Sequence, residues 1–163
     1  MNLNKTLGAV AAAGALAAGA SSAQTPAPAA PAPAYGAPIS LSDAQVLIQR
    51  AIEESRGRGF RMSIAVVEPS GELVAFAKMD DTQYGSTHVA LRKAETSARY
   101  RTSTAAFEAR VLGGRTVTLG NDDVMPIAGG QPIIVDGRVV GGLGVSGGSA
   151  AEDDEIALAA LKP

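Results

Sequence analysis

An α+β fold with a mainly antiparallel sheet is predicted by three observations. The first is a hairpin pattern in which alternating apolar residues at 61–68 and 72–79 flank Pro69-Ser70-Gly71, a turn with Pro and Gly where turns favour them. The second is Asp136-Gly137 between the β-branched runs 133–135 and 138–140, the Asp-Gly signal of a tight hairpin whose two central residues need positive φ. The third is the order of elements: helix, hairpin, two helices, hairpin, helix. That order has no strand–helix–strand alternation, so the strands pair within hairpins and the helices pack on the faces of the sheet.

The elements follow in order. Ser42 and Gln45 have the spacing of a capping box, with Leu41 and Val46 placed as its hydrophobic staple. Behind them Ala44, Leu47, Ile48, Ala51 and Ile52 recur at the spacing of one buried helical face, and Gly57 and Gly59 end the helix. After the first hairpin, residues 80–85 form a polar loop. Residues 86–101 then read as a helix, with Leu91, Ala94 and Ala98 toward the core and Glu95 and Arg99 spaced to pair. Thr102-Ser103-Thr104 breaks the chain with capping chemistry before a short helix at 105–112, stopped by Gly113-Gly114. Residues 115–124 read as a loop. The second hairpin ends in a glycine-dense stretch, and Ser149 with Glu152 forms a capping box for the last helix.

Ahead of this domain, residues 1–23 read as a secretory signal: Lys5, an Ala-rich apolar stretch too short for a membrane anchor, and Ser21-Ser22-Ala23 as a small-residue cleavage site. Residues 24–38 alternate Pro and Ala, a semi-extended tether. Residues 39–163 are then one domain, expected in the periplasm or secreted. The chain has no Cys, which removes disulfides and thiolate metal sites. Without Lys5 the formal charge is −3, and with no Trp, three Phe and three Tyr there are few surfaces for stacking bases. Both facts argue against a nucleic-acid partner.

Two motifs in the glycine-dense stretch are expected to be structural. Gly142-Leu-Gly-Val-Ser-Gly147 fits the dinucleotide fingerprint, but the sequence to Pro163 offers no returning strand and no ribose-binding acid, and residues 152–155 put four carboxylates where a pyrophosphate would lie. Gly144-Val-Ser-Gly-Gly148 fits the nucleophile elbow, but the single histidine, His88, lies upstream of Ser146 rather than downstream.

Five segments in order carry a family resemblance. They are Leu41-Ser-Asp-Ala44, Ser63-Ile-Ala-Val-Val-Glu-Pro-Ser-Gly71, Arg92-Lys-Ala-Glu-Thr96, Pro132-Ile-Ile-Val-Asp-Gly137, and Gly142-Leu-Gly-Val-Ser-Gly-Gly148 followed by the acidic residues 153–155. Together they resemble the HbpS/GlcG family, which includes haem-binding proteins, a protein of glycolate-utilisation operons and a domain of some cobalamin adenosyltransferases. The resemblance implies a profilin-like fold with a five-stranded sheet, a homo-oligomer, and for some members haem binding with slow release of its iron.

Haem needs an apolar slot, an axial ligand and cations for its propionates. His88 is the one imidazole and the candidate metal ligand; helical geometry puts it at the border between core and solvent. The resemblance also implies a Thr ligand in the turn after this helix. Thr104 holds that position, with Ser103 where the family pattern has Pro, and its residue type reads first as the cap of the following helix and only second as a ligand. Tyr84 is a candidate phenolate ligand, with Tyr100 behind it. Arg92, among Lys93, Arg99 and Arg101, is a candidate propionate partner on what otherwise reads as a solvated helix face. The first expectation is an exported protein that sequesters haem or slowly degrades it. A second is an enzyme or accessory subunit for short hydroxy acids, with backbone N–H groups at 144–149 holding the carboxylate. A third is a purely structural oligomer.

Overall fold

The computed structural model describes residues 31–162; the signal-like segment and the tether up to residue 30 lie outside them. The elements, in chain order, are β1 (Ala34–Tyr35), α1 (Leu41–Gly57), β2 (Ser63–Val67), β3 (Leu73–Lys78), α2 (Tyr84–Tyr100), α3 (Thr104–Leu112), a 3₁₀ turn (Thr116–Gly120), β4 (Gly130–Val135), β5 (Arg138–Ser146) and α4 (Ala150–Ala160). This is the α+β, profilin-like architecture with the five-stranded sheet expected above. Both hairpins are antiparallel, and β2 pairs antiparallel with β5 to join them.

The sheet is mixed rather than wholly antiparallel. β1 runs parallel to β5, with Tyr35 opposite Val139, on the edge of β5 that β2 occupies further along. The last residues of the Pro/Ala stretch are therefore part of the fold. Gly36 N–H donates to Val139 O, the Tyr35 hydroxyl donates to Arg99 O at 2.5 Å, and the Arg101 guanidinium lies 4.9 Å over the Tyr35 ring.

Helices cover both faces of the sheet, and β2 shows it most directly. All five of its residues are buried, with Ile64 and Val66 in the layer formed with α1 and α4, and Ala65 and Val67 against α2. Alternation thus sorts residues between two cores rather than between core and water.

The Asp136-Gly137 turn is as predicted, with φ of 49° and 72°. At α4 the predicted capping box is complete: Glu152 N–H donates to the Ser149 hydroxyl at 3.4 Å, and Ser149 N–H to the Glu152 carboxylate at 2.8 Å. Those bonds hold the Glu152 carboxyl below its ordinary value, the backbone donor of Ser149 contributing most. Ser149→Ala should cost about 1 kcal/mol in urea denaturation. A carboxyl lowered in the fold adds stability above the unfolded carboxylate pKa, lost as pH falls through the folded value, so Glu152→Gln should flatten the acid limb of stability against pH.

Four local readings are corrected. Ser40, not Ser42, caps α1 by accepting from Asp43 N–H, and the supposed staple residues Leu41 and Val46 are exposed. The chain enters α1 directly from a backbone bond, Ile39 N–H to Val140 O, so the helix begins before the predicted box. Ser103 rather than Thr104 caps α3, and Thr104 is its first residue. Glu95 meets Arg92 (3.9 Å) rather than Arg99, because Arg99 is drawn to Ser70 O and Asp123.

Candidate functional site

The glycine-dense end of β5 is a packing surface. Leu143 and Val145 point to the layer of α1 and α4, while Gly142 and Gly144 face α2. A Cβ on Gly144 would overlap the backbone of Ala90 and Ala94, and one on Gly142 would overlap Ala94 O. α2 answers with Ala90, Ala94 and Ala98, all fully buried, so helix and strand meet almost backbone to backbone. This contact accounts for Gly142 and Gly144 of the two glycine motifs, while a Cβ on Gly147 would overlap Arg61 O at the entry to β2.

A buried ion pair closes the same end of the sheet. Lys93 is fully buried, against its reading as part of a solvated face; its ammonium donates to Asp153 at 2.7 Å and to Val145 O at 3.1 Å. The other oxygen of Asp153 accepts from Gly147 N–H at 3.0 Å and Gly148 N–H at 2.9 Å. Next to it, Asp154 accepts from Gly129 N–H at 3.1 Å and from the Gln131 amide at 2.7 Å. The chain's own carboxylates thus occupy the donors at the start of α4. The backbone site suggested for a short hydroxy acid is corrected on this ground, since the N–H groups of Gly147, Gly148 and Ser149 are already bonded.

Burial pushes the Asp153 carboxyl up, and Lys93 and the two glycine N–H groups offset part of that rise. The sequence does hint at this pair: Lys93 stands beside Ala94 and a turn after Ala90, on the small-residue face that packs against β5. Its partner 60 residues away is set only by the tertiary fold.

The predicted ligand residues are divided between surface and core. Tyr84, His88 and Arg92 lie on one row of α2 at four-residue steps of about 6 Å. Tyr84 is 92% exposed, with the Lys78 ammonium 5.5 Å over its ring, and His88 is exposed. Arg92 is half-buried and donates to Asp122 O; its buried Nε has the Glu95 carboxylate at 3.9 Å but no hydrogen-bond partner. The loop after the 3₁₀ turn flanks Arg92: the Thr96 hydroxyl donates to Arg92 O at 2.8 Å and accepts from Met125 N–H at 2.9 Å. Leu112, Val117, Leu119 and Ile127, on the stretch from α3 through this loop, are exposed. Thr104, in contrast, is fully buried, and its hydroxyl accepts from Gly130 N–H at 2.8 Å, anchoring the start of β4. Its oxygen is committed to the backbone rather than offered to a ligand. Among the described residues no group of three or more His, Cys, Asp or Glu is placed to hold a metal ion, and no helix is long and apolar enough to cross a membrane.

The profile of the family described as haem degrading protein HbpS-like matches residues 39–162. The chain belongs to the HbpS-like family. Protein GlcG of Escherichia coli K12 is 34% identical over 108 residues, which cover 66% of this chain and 81% of that protein. Among solved structures, a double mutant of Streptomyces reticuli HbpS superposes with a TM-score of 0.71 at 27% identity, covering 83% of this chain and 97% of that one. The PduOC:heme complex gives 0.70 at 27% identity, covering 76% and 93%. The family profile extends along the domain from α1 to α4, so the likeness concerns its whole core rather than one motif.

Proposed function

We propose that this HbpS-like chain binds haem at the exposed row of α2, with His88 as the axial ligand to the iron and Arg92 as a propionate partner. The observation that carries this reading is the likeness to a solved PduOC:heme complex, in a chain whose one imidazole stands in the open a single turn from an arginine with an unsatisfied donor. Arg92 Nε gains a bond by turning out to an incoming carboxylate. Tyr84 lies one turn before His88 and offers a ring edge or a phenolic oxygen.

The row is open in a single chain, so we propose that a second copy closes the slot against the exposed apolar side chains of the α3-to-loop stretch, which makes the binding form a homo-oligomer. Haem bound there would supply iron chemistry, while the protein's share is to hold the iron through an imidazole, neutralise a propionate and limit water. The role that follows is sequestration or slow degradation of haem. The signal-like residues 1–23 point to the periplasm or the medium as the place, which N-terminal sequencing of exported protein would check by a start at Gln24.

Absorbance titration of the mature chain with haemin should give a shifted Soret band that saturates at a fixed ratio. His88→Ala should weaken binding at least tenfold, about 1.4 kcal/mol, and change the band. A spectrum matching free haemin overturns the proposal. An unchanged band in His88→Ala removes His88 as the ligand.

A further inference from the structure

A cavity of about 570 Å³ opens between the last turn of α1, the entry to β2 and the turn from β3 to α2. Ile52 and Met79, each 9% exposed, contribute its apolar lining, and Arg56, Arg61 and Lys78 contribute three cations. Among the described residues none of these cations has a carboxylate within salt-bridge distance. The contrast with Arg58 is direct, since that nearby guanidinium takes both Glu54 at 2.5 Å and Glu155 at 2.8 Å. The carboxylates that do line the cavity, Asp80 and Asp81, likewise have no cation within salt-bridge distance among the described residues.

The turn carrying those two carboxylates is fixed. Buried Thr82 donates its hydroxyl proton to Met79 O at 2.7 Å, with Met62 O a second acceptor at 3.1 Å, and Asp81 is held at a φ of 62°.

We infer that this cavity binds a small polyhydroxylated anion of about sugar size, bearing a carboxylate or a phosphate. Three cations gathered around one opening attract an anion, and arginine forks suit either of those groups. The carboxylates of Asp80 and Asp81 are acceptors, so the same ligand must bring donors. Hydroxyls meet that need, whereas an ammonium would face the three cations. The volume lies within the range of small-molecule sites, and the charged walls do not suit an apolar macrocycle. This is therefore a site separate from the α2 row, although Lys78 borders both.

The test is amide NMR titration of the full mature chain with gluconate, glucose 6-phosphate, sorbitol and acetate. Gluconate, glucose 6-phosphate or both should saturate, with shifts centred on Arg56, Arg61, Lys78 and Asp81; which one saturates identifies the anionic group. Arg61→Gln and Arg56→Gln, both at exposed positions, should each weaken binding at least tenfold, and haemin titration of Arg61→Gln should match the parent. The inference is overturned if neither sugar anion saturates, if acetate or sorbitol binds equally well, if both variants bind like the parent, or if Arg61→Gln loses haemin.

Discussion

Asp153→Ala is expected to lower the unfolding free energy by about 3–5 kcal/mol, the usual cost of removing one partner of a buried ion pair. The substitution strands the Lys93 ammonium in the core and strips the acceptor from Gly147 and Gly148 N–H at once. Lys93→Met acts differently, because the carboxyl left behind can take a proton. Asp153 is already pushed up by burial, and removing the ammonium pushes it further. A carboxyl raised in the fold contributes stability that is complete below the unfolded carboxylate pKa and is lost as pH rises toward the folded value. The deficit of Lys93→Met should therefore shrink as the pH is lowered through that window. Lys93→Met/Asp153→Asn keeps an acceptor for the glycines with no buried charge, and should be less destabilised than the sum of its single changes. Urea denaturation at several pH values measures all of this; additive losses with no pH dependence would show that the pair does not act as a unit.

Gly144→Ala is the second large effect, about 3 kcal/mol or more, with a parallel loss in Gly142→Ala. The added methyl on Gly144 meets the backbone of Ala90 and, at 2.6 Å, Ala94 N, so no side chain can turn aside to admit it. α2 would have to lift from the sheet, losing the contacts of Ala65, Val67, Ala90 and Ala94. Gly57→Ala is the control. It lies in the last turn of α1 with nothing within 4 Å of the new Cβ, and should be neutral or slightly stabilising in the same thermal melts. Equal melting temperatures for Gly144→Ala and the parent would contradict the backbone-to-backbone contact.

The candidate site divides along the same line. His88, Tyr84 and Arg92 share a row because their four-residue spacing is fixed by helical geometry, so their grouping was legible from residue numbers. Thr104 was not: capping chemistry at 102–104 is visible in the sequence, but which hydroxyl caps α3 and which one binds Gly130 depends on where β4 begins. Lys93 has the sequence signature of a surface residue, because charge on a helix is usually solvated, and only the approach of α4 brings it a counter-ion. The basic cavity likewise draws residues from α1, β2's entry and the turn after β3, which no local pattern unites.

Residue order dictates whatever needs only near neighbours: the positive-φ turn at Asp136-Gly137, the Ser149–Glu152 box, the antiparallel hairpins and the order of helices. Long-range packing sets the parallel pairing of Tyr35 with Val139, the capping of α1 by Ser40, and the choice of Asp153 as partner for Lys93. The physical reason is range. Turn and cap energies are set within a few residues, whereas a parallel bridge and a buried charge pair form only once packing has brought distant segments together and excluded water between them.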